Sequence, residues 1–212
     1  MIRYESEKEF VYPGGVLIPV TVRRTVREGT LVRAFENLIE EIKALSGDVF
    51  SEEYISAVAE ICQTAGYHIE PQEDSDDLIY ERFGGGSYSG AAEAVGEEAL
   101  ALENLTDFDI EEILFAGERA YMLTEGGRIL SIAAENPITE IEGAVEIAAV
   151  TAPGYRGRGY AAECINALCA DIDGRIIYLC SVDNPASART AEKCGFGKTG
   201  RVKYFVAYDS EE

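Results

Sequence analysis

Residues 152–161 read APGYRGRGYA, and this stretch decides the fold. It follows an apolar, β-branched run at 144–151 and opens a predicted helix at about 159–171. Glycines in such a loop let backbone N–H groups turn toward one point, and the start of a helix adds partial positive charge. Arg156 and Arg158 add forked donors that suit phosphate. The stretch therefore predicts a cradle for a pyrophosphate group.

A dinucleotide-binding fingerprint is the first alternative. Residues 157–162, GRGYAA, fit the pattern G-x-G-x-x-A, and Asp183 stands at the end of the next predicted strand. The first glycine of that fingerprint should adjoin its strand, whereas APGYR intervenes here. Only 29 residues follow Asp183, which is too few for the rest of a doubly wound parallel sheet. Both facts disfavour the dinucleotide interpretation.

A second block, NPAS at 184–187 and AEKCGF at 191–196, lies downstream. The two blocks together resemble the GNAT superfamily of acyl-CoA N-acyltransferases, whose loop signature R/Q-x-x-G-x-G/A is matched by Arg156, Gly159 and Ala161. The second block is similar to the N-x-x-S…A-E-K-x-G-F helix and turn of many members. The resemblance covers roughly residues 120–208. It implies an α+β fold with a mixed, mostly antiparallel sheet flanked by helices.

The rest of the pattern agrees with this fold class. Strand-like runs at 120–125, 128–134 and 144–151 predict an antiparallel meander, after a short helix at 107–114 capped by Asp107. A helix at 159–171, a strand at 175–182, a helix at 186–194 and a strand at 202–208 follow. The N-terminal part predicts an extension of a strand at 16–26 and two helices, at 31–45 and 51–66. Because 83–90 is glycine-rich, we expect an N-terminal region of unknown role at 1–90, packed on a GNAT-like core at 91–212.

The charge and the residue composition argue against several classes of partner and site. The chain of 212 residues carries a net charge of −21, yet residues 153–203 hold eight basic and five acidic residues, which leaves −24 for the remainder. We expect no nucleic acid and no anionic membrane as partners. Five cysteines without a CxxC pair and a single histidine, His68, argue against a metal site or a disulfide framework. No apolar run approaches the roughly 18 residues of a membrane helix, so we expect a cytoplasmic location.

The resemblance also implies a set of binding residues for acetyl-CoA as cosubstrate. The strand before the loop would splay from its neighbour and hold the pantetheine arm, the loop would wrap the pyrophosphate, and the start of the next helix would bond the pantetheine or thioester. Asn184 can also act as a plain helix N-cap. The implied binding residues are Ala149, Val150, Thr151, Arg156, Gly157, Arg158, Gly159, Tyr160, Ala161, Ala162, Asn184 and Ser187.

The catalytic residues are less determined by the resemblance. Glu146 is the preferred general base, with Glu142 and Glu135 as weaker candidates, and each can equally be a solvated carboxylate. Many family members carry a tyrosine in the second motif that protonates the leaving thiolate, but Ala191 stands at that position. Two alternatives remain. Either Tyr204 or Tyr178 protonates the thiolate, or the thiolate leaves without a proton donor.

The implied function is an N-acetyltransferase. It would move an acetyl group from acetyl-CoA to a primary amine of a small molecule or peptide by direct attack in a ternary complex, without a metal. A homodimer is compatible with this function. Two alternatives stay open: a catalytically silent acyl-CoA-binding or regulatory module, which Ala191 favours, and an N-terminal interaction domain beside a vestigial core.

Overall fold

The chain divides into two compact units. The computed structural model describes residues 1–12, 15–69, 75–86, 90–136 and 141–208. The N-terminal unit contains Met1–Leu78 and Thr199–Glu212, and the central unit contains Ile79–Lys198. This division differs from the expected boundary at 90. Gly84 N donates to Gly174 O and Gly85 N to Cys169 O, so these glycines belong to the central unit, while residues 87–89 lie outside the described residues.

The N-terminal unit is a sheet with helices and a core of its own. Four strands follow the order β1-β4-β3-β12, β2 pairs with β3, and β1 runs parallel to β4. Side chains of the sheet and both helices form one buried cluster that includes Val20, Ile42, Val58 and Phe205. The elements are β1 Ile2–Glu7, β2 Val11–Tyr12, β3 Val16–Thr25, β4 Gly29–Phe35, α1 Ile39–Lys43, α2 Glu52–Thr64, the start of β5 Ser75–Phe83, and β12 Gly197–Tyr208.

The predicted helix at 31–45 is wrong in its first part. Gly29–Phe35 is a strand, β4, and only Ile39–Lys43 is helical. The apolar spacing fits a helix, but β4 is paired on both sides, with β1 and with β3, and this nonlocal pairing decides its conformation. Gly29, at φ +76°, allows the tight turn that returns the chain from β3. The extension therefore contains more strands than the single one expected.

The central unit confirms the predicted α+β fold. Its strands follow the order β5-β11-β10-β9-β8-β6, with β7 parallel to β9. The pairs β8–β9 and β9–β10 are antiparallel, as the predicted meander requires, and β10–β11 is parallel. The elements are the rest of β5, β6 Ala92–Glu93, α3 Gly96–Leu100, β7 Glu103–Asn104, α4 Ile110–Ala116, β8 Ala120–Glu125, β9 Arg128–Asn136, β10 Ala144–Thr151, a single 3-10 turn Pro153–Tyr155, α5 Tyr160–Ala170, β11 Arg175–Ser181 and α6 Pro185–Lys193.

Helices cover the sheet of the central unit. Helix α5 packs on β8, β9 and β10, and its buried side chains are small or branched: Ala162, Cys164, Ile165, Ala167, Leu168 and Cys169. Helices α3 and α4 bury Ala99 and Ile110 in a second cluster with Ile129 and Ile132. The cap of α4 is Asp109, which accepts a hydrogen bond from Glu112 N, rather than the predicted Asp107.

None of the helices in the described part of the chain has the length and apolar character needed to cross a membrane.

Gly84 offers a direct test of the packing of the central unit. A Cβ at Gly84 would lie 1.7 Å from the backbone oxygen of Ile172, whereas a Cβ at Gly197 would meet nothing within 4 Å. Neither glycine needs a positive φ, so alanine strains only Gly84. We expect Gly84→Ala to lower the free energy of unfolding by about 3 kcal/mol or more, and Gly197→Ala to change it by about 0.5 kcal/mol at most. Guanidinium titration measures both values, and equal stabilities would contradict the close approach.

Candidate functional site

A cavity of about 510 Å³ opens in the central unit. Strand β10, the loop after it, the start of α5 and one face of α6 form its wall. Such a volume is typical of small-molecule sites. The lining residues are Ala149, Val150, Thr151, Tyr155, Arg156, Gly157, Gly159, Tyr160, Ala161, Ala162, Tyr178, Asn184, Ala186, Ser187, Arg189, Thr190 and Lys193.

The cavity begins where β10 and β11 stop pairing. Their parallel ladder ends at the pair Ile147↔Tyr178, although β10 continues to Thr151 and remains paired with β9 over that length. Ala152 N donates to Leu130 O on the β9 side, so by alternation the backbone groups of Ala149 and Thr151 point to the opposite side. Among the described residues these groups have no ladder partner on β11. They form a strand edge along the cavity without a ladder partner, on which Thr151 O accepts from Arg156 Nε.

The loop after β10 supplies a second row of backbone donors. Gly157 and Gly159 have φ of +76° and +88°, a conformation that favours glycine. Gly159 is the N-cap of α5 and provides no side-chain cap, and the first helical bond runs from Glu163 N to Gly159 O. The N–H groups of Tyr160 and Ala161 therefore lack helical acceptors, like those at any helix start. This terminus lies in the cavity wall and favours an anion.

Cationic side chains surround this terminus. Arg156 lines the cavity and its Nε donates to Thr151 O at 3.1 Å. Lys193 reaches it from α6, because its Nζ would lie 3.3 Å from a Cβ at Gly159. Arg189 lines the same wall. Arg158 is placed differently: its guanidinium stacks 5.1 Å from the centre of the Tyr155 ring and it does not line the cavity.

The start of α6 places two polar side chains in the wall. Asn184 Oδ1 accepts from Ser187 N at 3.0 Å, so Asn184 is the N-cap of α6 as well as a cavity residue. Ser187 Oγ lies 2.9 Å from the hydroxyl of Tyr178, and either group can be the donor. Burial raises the pKa of Tyr178, and the hydrogen bond from Ser187 opposes that rise.

Comparison with known proteins finds a family that part of the chain resembles. The family model of the acetyltransferase (GNAT) domain matches residues 101–197, just under half of the chain. This part of the chain is similar to the GNAT acetyltransferase domain. No curated protein matches the chain significantly.

Two solved structures similar to this chain reach a TM-score of 0.50 at low sequence identity. A protein described as an acetyltransferase of the GNAT family from Novosphingobium aromaticivorans is 18% identical, with a TM-score of 0.50 over 65% of this chain and 66% of that one. A Drosophila protein is 9% identical, with a TM-score of 0.50 over 73% and 58% of the two chains. A GNAT acetyltransferase from Colwellia psychrerythraea is 12% identical, with a TM-score of 0.47 over 74% and 62%. The chain thus spans 58–66% of the length of these structures.

Most of the predicted binding residues meet in the cavity of the central unit. Eleven of the twelve line it, and Arg158 is the exception. Sequence reasoning had not assigned Tyr155, Ala186, Arg189, Thr190 and Lys193, which also line the wall. The last four follow the i, i+3, i+4, i+7 spacing of one helix face, and this periodicity could have identified them from the sequence. No group of three or more metal-ligating side chains occurs among the described residues.

The predicted catalytic residues lie elsewhere. Glu146 is a buried residue of β10 that does not line the cavity, and its Oε1 accepts from Asn136 Nδ2 at 2.8 Å. Alternation puts it on the same face of β10 as Val150, which packs toward the cluster around α3 and α4. Tyr204 is a residue of β12 in the N-terminal unit, paired with Thr21, and its part as an acid stays a prediction.

The weaker base candidates are engaged or exposed. Glu135 accepts from the Arg119 guanidinium at 2.9 Å, which holds it in an ion pair and raises the pKa of Arg119. Glu142 is exposed to solvent. Ala191, where the resemblance implies a tyrosine, is fully buried and carries no proton. None of these three carboxylates lines the cavity, and the part of Glu146 as general base stays a prediction.

The cysteines are buried and unreactive by environment. All five are buried thiols, and burial raises the pKa of Cys164 and Cys169 to about 12 and that of Cys194 to about 11. A raised pKa keeps a thiol protonated at pH 8, and only the thiolate reacts. We expect Ellman's reagent at pH 8 to modify less than one thiol per native chain within minutes, and five after unfolding in guanidinium. One rapidly reacting thiol in the native protein would contradict this environment.

Proposed function

We propose that the central unit catalyses N-acetylation, moving an acetyl group from acetyl-CoA to a primary amine. The observation that carries the proposal is the cavity wall. It combines a strand edge without a ladder partner, the uncapped start of α5 and several cations around one space. An elongated donor with a pyrophosphate and an amide-containing arm matches both ends of this wall.

The chain's own groups would hold acetyl-CoA as follows. The N–H groups of residues 157–162 would bind the pyrophosphate, with Arg156 and Lys193 adding charge. The edge at Ala149 and Thr151 would pair with the amides of the pantetheine arm, as a neighbouring strand would. Asn184 and Ser187 lie on the opposite wall, where they can bond the arm near the thioester. Arg158, Tyr160, Ala161 and Ala162 complete the proposed binding loop.

The proposed reaction depends mainly on the alignment of the amine with the thioester and involves no covalent intermediate with the enzyme. A neutral amine attacks the thioester carbon within a ternary complex, and fixing the two reactants can account for several kcal/mol of the barrier, on the order of 7–11. A backbone N–H of the β10 edge would polarise the carbonyl oxygen. Glu146 would take the ammonium proton, directly or through water. Its carboxylate is held by Asn136, which fixes its direction.

The acceptor is proposed as a small-molecule or peptide amine. The excess of acidic residues outside 153–203 favours a cationic acceptor over an anionic one. A catalytically silent acyl-CoA-binding module is the second candidate, because Ala191 lacks the proton that a tyrosine would supply. Turnover of acetyl-CoA against a panel of amines, read as free thiol, separates the two candidates.

We expect acetyl-CoA to raise the melting temperature of the protein, and NAD and NADP to leave it unchanged. Binding to the native state alone stabilises by about 2.7 kcal/mol at a hundredfold excess over Kd. Thermal unfolding with each ligand at equal concentration measures this. A shift with NAD but not with acetyl-CoA would overturn the assignment of the cavity.

Gly159→Asp should abolish that shift. The new side chain enters the cavity wall beside Lys193, places a negative charge where phosphate would lie and neutralises the lysine. Gly117→Asp is the matched control, since Gly117 has a similar φ of +77° and open space around it at the end of α4. Both variants should lose comparable stability, and only Gly159→Asp should lose binding. Normal binding by Gly159→Asp would exclude this loop as the pyrophosphate site.

Glu146→Gln should lower kcat by about a hundredfold while the affinity for acetyl-CoA stays nearly constant. The amide keeps the shape of the side chain and its contact with Asn136, but it cannot accept the proton. Steady-state rates on a verified acceptor, together with calorimetric Kd values, measure the two effects. Glu142→Gln, at an exposed carboxylate, is the control and should keep full activity. Undiminished turnover in Glu146→Gln would remove Glu146 from the mechanism.

A further inference from the structure

Strand β1 forms the outer edge of the sheet in the N-terminal unit. It pairs with β4 on one side, and no strand among the described residues pairs with its other side. Its sequence over 2–7, IRYESE, contains no proline or lysine, and its register with β4 has no bulge. Natural sheets use proline, lysine and bulges to keep an edge from pairing with another chain. Like charges also protect an edge by repulsion, but the charges of β1 are of both signs.

The backbone groups of β1 alternate between its two sides. Glu7 O accepts from Glu36 N at the end of β4 at 2.9 Å, so Glu7 directs its backbone groups toward β4. In a parallel ladder every second residue bonds to the same neighbour. The N–H and C=O groups of Ile2, Tyr4 and Ser6 therefore point to the open side of the strand. Ser6 is also exposed as a side chain.

We propose that two copies of this chain dimerise by pairing their β1 strands antiparallel, with Tyr4 opposite the partner's Tyr4. The inference concerns the N-terminal unit and does not depend on the proposed function. A twofold axis makes both copies use the same edge and runs the two strands in opposite directions. The two Tyr4 residues would exchange their outward N–H and C=O groups, and Ile2 would do so with the partner's Ser6.

The charges of β1 select this register. Arg3 and Glu5 share one face of the strand, where Arg3 Nε lies 3.1 Å from Glu5 Oε1. In the proposed pairing Arg3 lies opposite the partner's Glu5 and Glu5 opposite the partner's Arg3, so positive and negative groups alternate. These are non-hydrogen-bonded pairs, in which side chains approach most closely. A shift by two residues in either direction puts Arg3 opposite Arg3 or Glu5 opposite Glu5, which is unfavourable.

The edge is held in place before a second copy arrives. Ile2 and Tyr4 pack against the buried cluster of the N-terminal unit, which fixes one face of β1. On the other face, Arg33 of β4 lies 3.5 Å from Glu5. The side chains of Arg3 and Glu5 are 57% and 40% exposed, so a second chain can reach both. A preorganised edge loses little conformational freedom on pairing.

We expect a weak dimer, since one pair of strands makes a small contact and each chain carries a net charge of −21. Salt at about 0.15 M screens charges more than about 8 Å apart and leaves adjacent pairs attractive. Sedimentation velocity at this salt concentration should show a reversible change from monomer to dimer between about 10 µM and about 1 mM protein. The species should not grow beyond the dimer, because each copy has used its edge.

Ser6→Pro tests the backbone pairing. The Ser6 N–H points outward, so proline removes a donor that only the dimer uses and leaves the bonds to β4 intact. We expect the dimer Kd to rise by about tenfold or more. Ser6→Ala, which keeps the N–H, is the matched control and should stay within about twofold of the wild type. Thermal unfolding checks that both variants are folded.

Complementary charge variants test the register without changing the backbone. Arg3→Glu places glutamate opposite Glu5, and Glu5→Arg places arginine opposite Arg3. Each variant alone should dimerise about tenfold more weakly than the wild type, because two cross-strand pairs become repulsive. An equimolar mixture should recover the wild-type affinity, because positions 3 and 5 then carry opposite charges in both pairs. A role of Arg3 or Glu5 within one chain would not produce this recovery.

The outcomes decide the proposal. Recovery in the mixture together with a weakened Ser6→Pro dimer would establish the β1 interface and its register. A wild type that stays monomeric over the whole concentration range would overturn the proposal. A dimer that folded Ser6→Pro leaves intact, or charge variants that do not recover on mixing, would also overturn it, because the interface would then lie elsewhere or in another register.

Discussion

The end of pairing between β10 and β11 is the constraint on which the site depends. The strands are parallel and separate after Ile147 and Tyr178, while β9 keeps β10 in place up to Thr151. Ligands of sheets with parallel strands bind in the crevice outside the carboxyl ends of the strands, where such a separation leaves backbone groups without partners. Because backbone N–H and C=O groups in proteins are normally hydrogen-bonded, the half-exposed edge at Ala149 takes either water or a ligand with amide-like groups as its partner. The other parts of the wall are arranged around this edge.

The opposite wall must be held just as firmly, since a site loses its effect when its parts shift by about an ångström. Helix α6 is fixed at both ends. Asn184 caps the start of α6. At the end of α6 the Arg82 guanidinium donates to Cys194 O and lies 5.5 Å from the centre of the Phe196 ring. The same guanidinium donates to the side chain of Asn166 in α5. One arginine of β5 thus ties α5 to the end of α6. This explains why residues spread over a whole face of α6 can act at one cavity.

The charge distribution makes the cavity distinct from the rest of the molecule. The chain has a net charge of −21, yet Arg156, Arg189 and Lys193 all line one wall. An acidic surface repels anions in general, whereas a concave wall with cations and helix N–H groups attracts a compact one. The proposed selectivity for an anion with a long neutral arm would then depend on the shape of the wall, because charge alone would not distinguish such a ligand from free phosphate.

The sequence predicted those parts of the fold and of the site that depend on residues close together in the chain. Residues 152–161 predicted the loop and the start of α5, since glycines, arginines and helix start are contiguous. The helix expected at 31–45 was wrong over β4, because pairing with β1 and β3 outweighed the apolar spacing. The same limit applies to the site. Nothing in the sequence of β11 marks Tyr178 as the last paired residue, and Ser187 approaches it only because the chain turns back through α6. Binding groups that follow one another in the chain are readable from it, while a pair of groups from two elements that meet only in the fold requires the structure.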